Sequence, residues 1–496
     1  MQSQALLFIS LFPYFLLTGL AEIIVLLLLS KRGSSNVANE EISYQDETKK
    51  MTRLNYLGRL NAMTNVVEKR KTSVFLLSAF LFTFSGYAQD TVEPSLNTEE
   101  RELTSWLDSQ EDNMLEMLER ITNINSGSLN KQGVNELASI FSEELRQLGF
   151  SISTLPGEVI EMPSCPGSDY NVDVADHVLA SKSGSGSKLL MMGHLDTVFP
   201  PDSPFQEFSR EGDTMYGPGV SDMKGGLVVM LYALKALNEN GGLQDKSITV
   251  LLNSDEEMGS LSSRKYLEAQ ARLHDWGLVY ESSGNNRLTR ERKGLGQARF
   301  VVHGRASHAG GAHEQGRSAI KELAYKIVQI ENITDYETGV TVNVGVVSGG
   351  EARNTIAPCA EALIDLRYPQ AQQGIDALAQ FEEIFGSVYS YPVDSGEITT
   401  ESWTNLHRPA KIATPESDFL LNKTIAIGRL LGQELGVGDS GGGTDGSLTQ
   451  AVGLPTLDSL GSAGIGAHSN REQGRVSSLV ERAKLSAVLI RRLAAE

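Results

Sequence analysis

From about Asn97 onward, apolar runs of strand length alternate with longer amphipathic segments, a pattern that predicts an α/β fold on a largely parallel sheet. Helices are expected over Leu103 to Ile121, Val134 to Leu148 and Gly225 to Leu237, the last rich in Leu, Val and Ala. Buried strands are expected at Lys188 to Met192, Ser247 to Leu252 and Gly277 to Tyr280, so ligands should gather at their carboxyl ends. Beyond Arg292 the pattern becomes strand (Gly296 to Val302), helix (Arg317 to Ile330), strands (Val340 to Val347, Cys359 to Tyr368), helix (Gly374 to Phe385) and a last strand near Gly396 to Ser402. This βαββαβ order is that of a ferredoxin-like unit, and the helix–strand pattern resumes after Arg408, as for an inserted domain.

Two apolar stretches precede this region. Val74 to Phe84, preceded by Lys69, Arg70 and Lys71 and followed by Ser85-Gly86-Tyr87-Ala88-Gln89, has the three-part layout of a secretory signal cut at Ala88-Gln89. Ala5 to Ser30 is long enough to span a bilayer but is interrupted by Pro13 and Glu22. The preferred reading places the start at Met51 or Met63, with residues 1–62 an upstream extension and 63–88 the signal; a first transmembrane helix is the alternative. The mature chain would be periplasmic or secreted, and membrane-anchored only if the N-terminal segment is retained. The remaining boundaries are 95–292 and 408–496 for the two parts of a catalytic domain, and 293–407 for the insert.

Lys and Arg number 43 against 62 Asp and Glu, a net charge of −19 that argues against a nucleic-acid partner. With two cysteines, Cys165 and Cys359, read as free or incidental, no Cys-rich zinc module can be built. Any metal must therefore be held by His, Asp and Glu.

Candidates for that task stand where the predicted strands end. His194 closes the run Leu189 to Met192, and Asp196, two residues on, could accept its other ring N–H. Asp222 lies at the head of an apolar helix with glycines on both sides, where it could equally be an N-cap. Asp255-Glu256-Glu257 follow another buried strand, and three adjacent carboxylates repel one another unless a cation neutralises them; a solvated acidic loop is the alternative. Glu281 ends the strand Gly277 to Tyr280, and His468 sits in the loop Gly464 to Ser469. Each has a plain structural explanation taken alone, but five such groups at strand ends or helix heads of one sheet favour metal. Two histidines and three carboxylates suit two zinc ions per subunit with one carboxylate shared, which at about 3.5–4 Å separation can activate a water and polarise a carbonyl.

The segments Gly193-His194-Leu195-Asp196-Thr197, Gly217-Pro218-Gly219 through Asp222 and Lys224-Gly225-Gly226, Asp255 to Ser260 and Gly304 to Gly310 resemble the zinc aminoacylase and carboxypeptidase family. Within it, Gly441-Gly442-Gly443-Thr444-Asp445 and His407-Arg408-Pro409-Ala410 are most similar to the bacterial glutamate carboxypeptidases. The resemblance implies a zinc-peptidase catalytic domain with a mixed, largely parallel sheet plus an inserted ferredoxin-like α+β dimerisation (lid) domain. It implies that Asp222 bridges the zincs, that His194 and Glu281 complete one site, and that Glu257 and His468 complete the other. Glu256 would be the general base, and Asp196 would orient His194.

The same resemblance places His308 in the partner subunit's active site as an oxyanion stabiliser, and therefore implies a homodimer through the insert. It assigns Asn354 to substrate contact and Arg408 to the C-terminal carboxylate, with a structural ion pair as the other reading of Arg408. Gly442, Gly443 and Thr444 could add backbone donors. The activity implied is release of a C-terminal amino acid, glutamate among the candidates, from a small peptide or N-acyl amino acid. An N-acyl-amino-acid deacylase or dipeptidase with the same zinc chemistry, and an inactive exported binding protein, are the alternatives. Glu in place of Asp at position 281 weighs against an aminopeptidase.

Overall fold

The strands that read as uninterrupted apolar runs form the middle of a six-stranded sheet in the computed structural model, which describes residues 95–166, 171–390 and 398–495. The leader and upstream apolar stretch lie outside the described residues. In chain order the sheet takes β1 (Ser151–Leu155), β2 (His177–Lys182), β3 (Ser185–His194), β4 (Lys246–Asn253) and β5 (Trp276–Val279). A second sheet takes β6 (Gly294–His303), β7 (Thr341–Gly349), β8 (Cys359–Tyr368) and β9 (Thr399–Arg408), after which β10 (Thr456–Leu457) returns to the first. The first sheet runs β1-β2-β4-β3-β5-β10. Its β4, β3, β5 and β10 are parallel, while β1 and β2 join antiparallel at one edge.

Parallel strands covered on both faces must be apolar throughout, which is why Leu189 to Met192 are all fully buried. The helix α1 (Lys224–Glu239) is buried nearly all round, between this sheet and surrounding helices, and so shows little amphipathic contrast. Each of its leucines removed from water contributes about 1.5–3 kcal/mol relative to exposure.

The second sheet runs β7-β8-β6-β9, antiparallel throughout, with α2 (Ala319–Glu331) and α3 (Ala371–Gly386) packed against it. The β-α-β-β-α-β order expected for the insert is observed. Its core centres on Phe300, which stacks on Phe385 with centroids 3.8 Å apart.

Three expectations need correction. The helix expected over Leu103 to Ile121 is two, Thr98–Asp108 and Glu111–Thr122, because the chain turns at Ser109-Gln110, where both amides bond back to the first helix. The last strand of the insert continues to Arg408, well past Ser402. Cys165 and Cys359 are not free: their sulfurs are bonded at 2.10 Å. The bond ties the loop leading out of the strand Val159–Glu161 to the start of β8. Arg299 of β6 clasps the same loop, donating from Nε to the Pro163 carbonyl (2.6 Å) and from Nη2 to Glu361 (2.8 Å).

Candidate active site

Five side chains from five separated segments converge at the carboxyl end of the six-stranded sheet. His194 is the last residue of β3, Asp222 lies two residues before α1, Glu257 follows β4, Glu281 follows β5, and His468 sits in a turn where its φ is +60°. His194 Nε2 stands 3.3 Å from Asp222 Oδ1 and 3.5 Å from Glu281 Oε1. His468 Nε2 stands 3.2 Å from Asp222 Oδ2 and 3.0 Å from Glu257 Oε2. Asp222 thus offers one oxygen to each imidazole, the arrangement a shared ligand requires. Its alternative role as an N-cap is not seen: Met223 occupies that position, with no side-chain cap.

The Lys224-Gly225-Gly226 segment has a steric reason. A Cβ on Gly226 would lie 1.8 Å from the Tyr280 carbonyl oxygen, and one on Gly225 would lie 2.3 Å from that of Val220. Only glycine lets α1 begin this close to the strand end that presents Glu281.

The three consecutive carboxylates separate. Asp255 turns inward to accept the Ser262 and Ser263 amides (2.7 and 3.2 Å), so only Glu256 and Glu257 face the cleft. Asp196 is fully buried and does more than orient His194. Its carboxylate is 3.4 Å from Nδ1, whereas its own backbone carbonyl is 3.0 Å away. The carboxylate also accepts the Ser128 hydroxyl (2.7 Å) and the amides of Glu256 and Glu257 (both 3.2 Å), fixing the loop that carries them.

Electrostatics show what the cluster favours. Burial, then the Asp222 charge, pushes the Glu257 carboxyl up to about 8 and raises Glu281 well above the carboxylate range. Burial also opposes ionisation of Asp222, but the hydrogen-bonded imidazoles outweigh it and hold that carboxyl low. Hydrogen bonds to Asp222 and Glu257 hold His468 protonated up to about 11. The carboxylates thus favour positive charge at this point of the cleft, which metal cations would supply. Glu257 Oε1 is buried without a partner among the described residues, as expected of a ligand atom. The donor set of nitrogen and carboxylate oxygen fits zinc.

The cluster opens into a cleft of about 630 Å³ between the two sheets. Arg408 lines it but is engaged, donating from Nη2 to Glu256 Oε1 (2.8 Å) and Ser260 Oγ (2.8 Å) and from Nη1 to the Gly259 carbonyl (2.8 Å). Asp445 lies 3.2 Å from the same guanidinium. This is the ion-pair reading of Arg408; a substrate carboxylate would have to join or displace these partners. Gly443 lines the cleft against Arg408, where an added Cβ would lie 3.0 Å from Arg408 Cγ. His308 and Asn354 are exposed and not among the cleft-lining residues of their own chain.

Residues 190–492 match Peptidase family M20/M25/M40. The chain belongs to this metallopeptidase family. The M20 chain is 32% identical over 391 residues to carboxypeptidase G2 of Pseudomonas sp. (strain RS-16), covering 77% of this chain and 89% of that one. It is 26% identical over 373 residues to succinyl-diaminopimelate desuccinylase of Gluconacetobacter diazotrophicus, covering 71% and 91%. In fold it is similar to the M20 metallo-carboxypeptidase Sso-CP2 of Sulfolobus solfataricus, with a TM-score of 0.59 at 18% identity over 77% of this chain and 99% of that one. A tripeptidase of Staphylococcus aureus gives the same TM-score at 20% identity, over 78% and 99%.

Sequence reasoning did not single out Arg367 and His407, which line this M20 cleft. Arg367 alternates with buried residues along β8 and pairs with Asp365 at 2.7 Å; a charged residue on the outer face of that strand was the available signal. His407 lines the cleft, and burial followed by the neighbouring Arg408 charge holds its ring neutral down to about 3.

Proposed function

We propose that the chain hydrolyses an amide bond to release a C-terminal amino acid, glutamate foremost, from a peptide or N-acyl amino acid, using two zinc ions per subunit. The observation that carries this reading is the His194–Asp222–His468 chain of contacts, with Glu281 and Glu257 at its two ends. His194, Glu281 and Asp222 would hold one ion, and His468, Glu257 and Asp222 the other. When bound, the pair supplies Lewis acidity to the scissile carbonyl and makes water a better acid. Glu256 takes the proton of the attacking water and delivers it to the departing nitrogen. Asp196 keeps Glu256 in place through its amide. Arg367 and Arg408 provide positive charge for an anionic substrate in an otherwise acidic protein.

Likeness to carboxypeptidase G2 supports carboxypeptidase action, with the glutamate preference resting on the resemblance of Gly441 to Asp445 and His407 to Ala410; the desuccinylase relative keeps N-acyl-amino-acid hydrolysis as the second reading. The test is a panel of N-acyl amino acids and short peptides offered to zinc-loaded protein beginning at Gln89. Preference for C-terminal Glu or Asp supports the glutamate carboxypeptidase reading. Preference for simple acyl groups with other residues moves it to a deacylase, and absence of turnover with zinc bound sinks both. The Cys165–Cys359 bond supports export to an oxidising compartment.

The reading extends to a homodimer through the second sheet. Its edge strand β7 exposes Val346 and Val347, and the adjoining α2 exposes Ile320 and Val328, the last 62% accessible. Such an apolar patch beside an unpaired strand edge suits a second copy of the chain, which would bring its His308 and Asn354 toward the cleft. Val328→Glu is expected to yield monomer by light scattering, with turnover reduced about 10²–10³-fold through loss of the partner's oxyanion donor. A fully active monomer would refute the shared site.

A further inference from the structure

We infer that Glu472 is a positioning residue for the shared metal ligand Asp222. Glu472 is fully buried, four residues after His468, and its amide donates to the Ser469 carbonyl (3.0 Å) to close the turn that presents the imidazole. Its carboxylate crosses to a segment 250 residues away in sequence, where Oε1 accepts the amides of both Ser221 and Asp222 at 2.9 Å. The adjoining strand Gln473–Arg475 pairs antiparallel with Thr214–Tyr216, which brings the two segments side by side. The backbone of Asp222 is therefore gripped from behind while its two carboxylate oxygens face His194 and His468.

The mechanical consequence follows from the geometry. Without that oxygen, the buried Ser221 amide and its neighbour lose their acceptor, and the loop must turn to find another. A rotation of the loop moves both oxygens of the shared ligand at once, so both metal positions suffer. The amide bonds from Ser221 and Asp222 both end on Oε1, so the grip on the metal-ligand loop is made through that oxygen. An amide oxygen could make it equally well. Groups that hold metal ligands in place are commonly worth 10–100-fold in metal affinity.

This inference rests on the metal-centre reading, and the experiment separates the two. Zn2+ affinity is measured by chelator competition on wild type, Glu472→Gln and Glu472→Asp, with thermal midpoints of the metal-free proteins confirming that each folds. Glutamine keeps the acceptor and loses the charge; aspartate keeps the charge and withdraws the acceptor by one methylene. The expected result is a glutamine variant within about threefold of wild type and an aspartate variant weakened about 10–100-fold. A glutamine variant that loses as much as the aspartate variant, or an aspartate variant equal to wild type, overturns the positioning role. A wild type that binds no Zn2+ overturns the metal centre itself.

Discussion

Glu256→Gln is expected to retain its metal and lose turnover by about 10²–10⁴-fold. Glutamine preserves the shape of the side chain and an oxygen for Arg408, whose Nη2 stands 2.8 Å from Glu256 Oε1, but it cannot take a proton. The ligand atoms of His194, Asp222, Glu257, Glu281 and His468 are untouched. The amide that Asp196 holds is also unchanged, so the loop should keep its course. Metal content and turnover measured on the same preparation check the prediction. Activity within tenfold of wild type would assign the proton transfer elsewhere, and loss of metal would make Glu256 a ligand.

The second large effect is expected at the disulfide. Cys165 and Cys359 are separated by 194 residues, so the cross-link removes a large loop from the freedom of the unfolded chain. The double substitution Cys165→Ser, Cys359→Ser is expected to lower stability by about 2–5 kcal/mol. It should also loosen the second sheet, because the bond is a further attachment besides the chain entries at β6 and β9. The Arg299 clasp on Pro163 should survive and keep the loop near its place. Denaturant midpoints of wild type with and without reductant, set beside the double variant, form the measurement. Coincident midpoints for all three would show that the bond contributes nothing.

The parts of the fold that the sequence revealed are those in which burial is written locally. Strands β3, β4 and β5 are covered on both faces and appear as continuous apolar runs, and the catalytic candidates follow because such strands end where the sheet opens. The chain break at Ser109-Gln110 was hidden because the apolar period continues across it. The disulfide was illegible for another reason. The loop carrying Cys165 has no period of its own, and its position depends on contacts with β6 and β8 far along the chain.

At the site, spacing alone could not separate Glu256 from Glu257, and a family resemblance was needed to distinguish them. In three dimensions the difference is direct: Glu257 faces His468, whereas Glu256 faces Arg408. The ion-pair partners of Arg408 were not legible from its neighbours in sequence. Its partners Glu256 and Ser260 come from the loop after β4, and Asp445 from the first turn of the helix Asp445–Ala451.

Asp196 joins Ser128, both cleft glutamates and the surroundings of His194 around one buried carboxylate. In engineering language it is a single point of failure for the loop that carries Glu256 and Glu257. Gln297, Asp365, Arg367 and His407 approach the cleft from the other sheet. The cleft is thus lined from both sheets, with Arg408 of β9 bonded to Glu256 and Ser260 across it. A change in how the two sheets approach each other would therefore reach the cleft first through that one guanidinium.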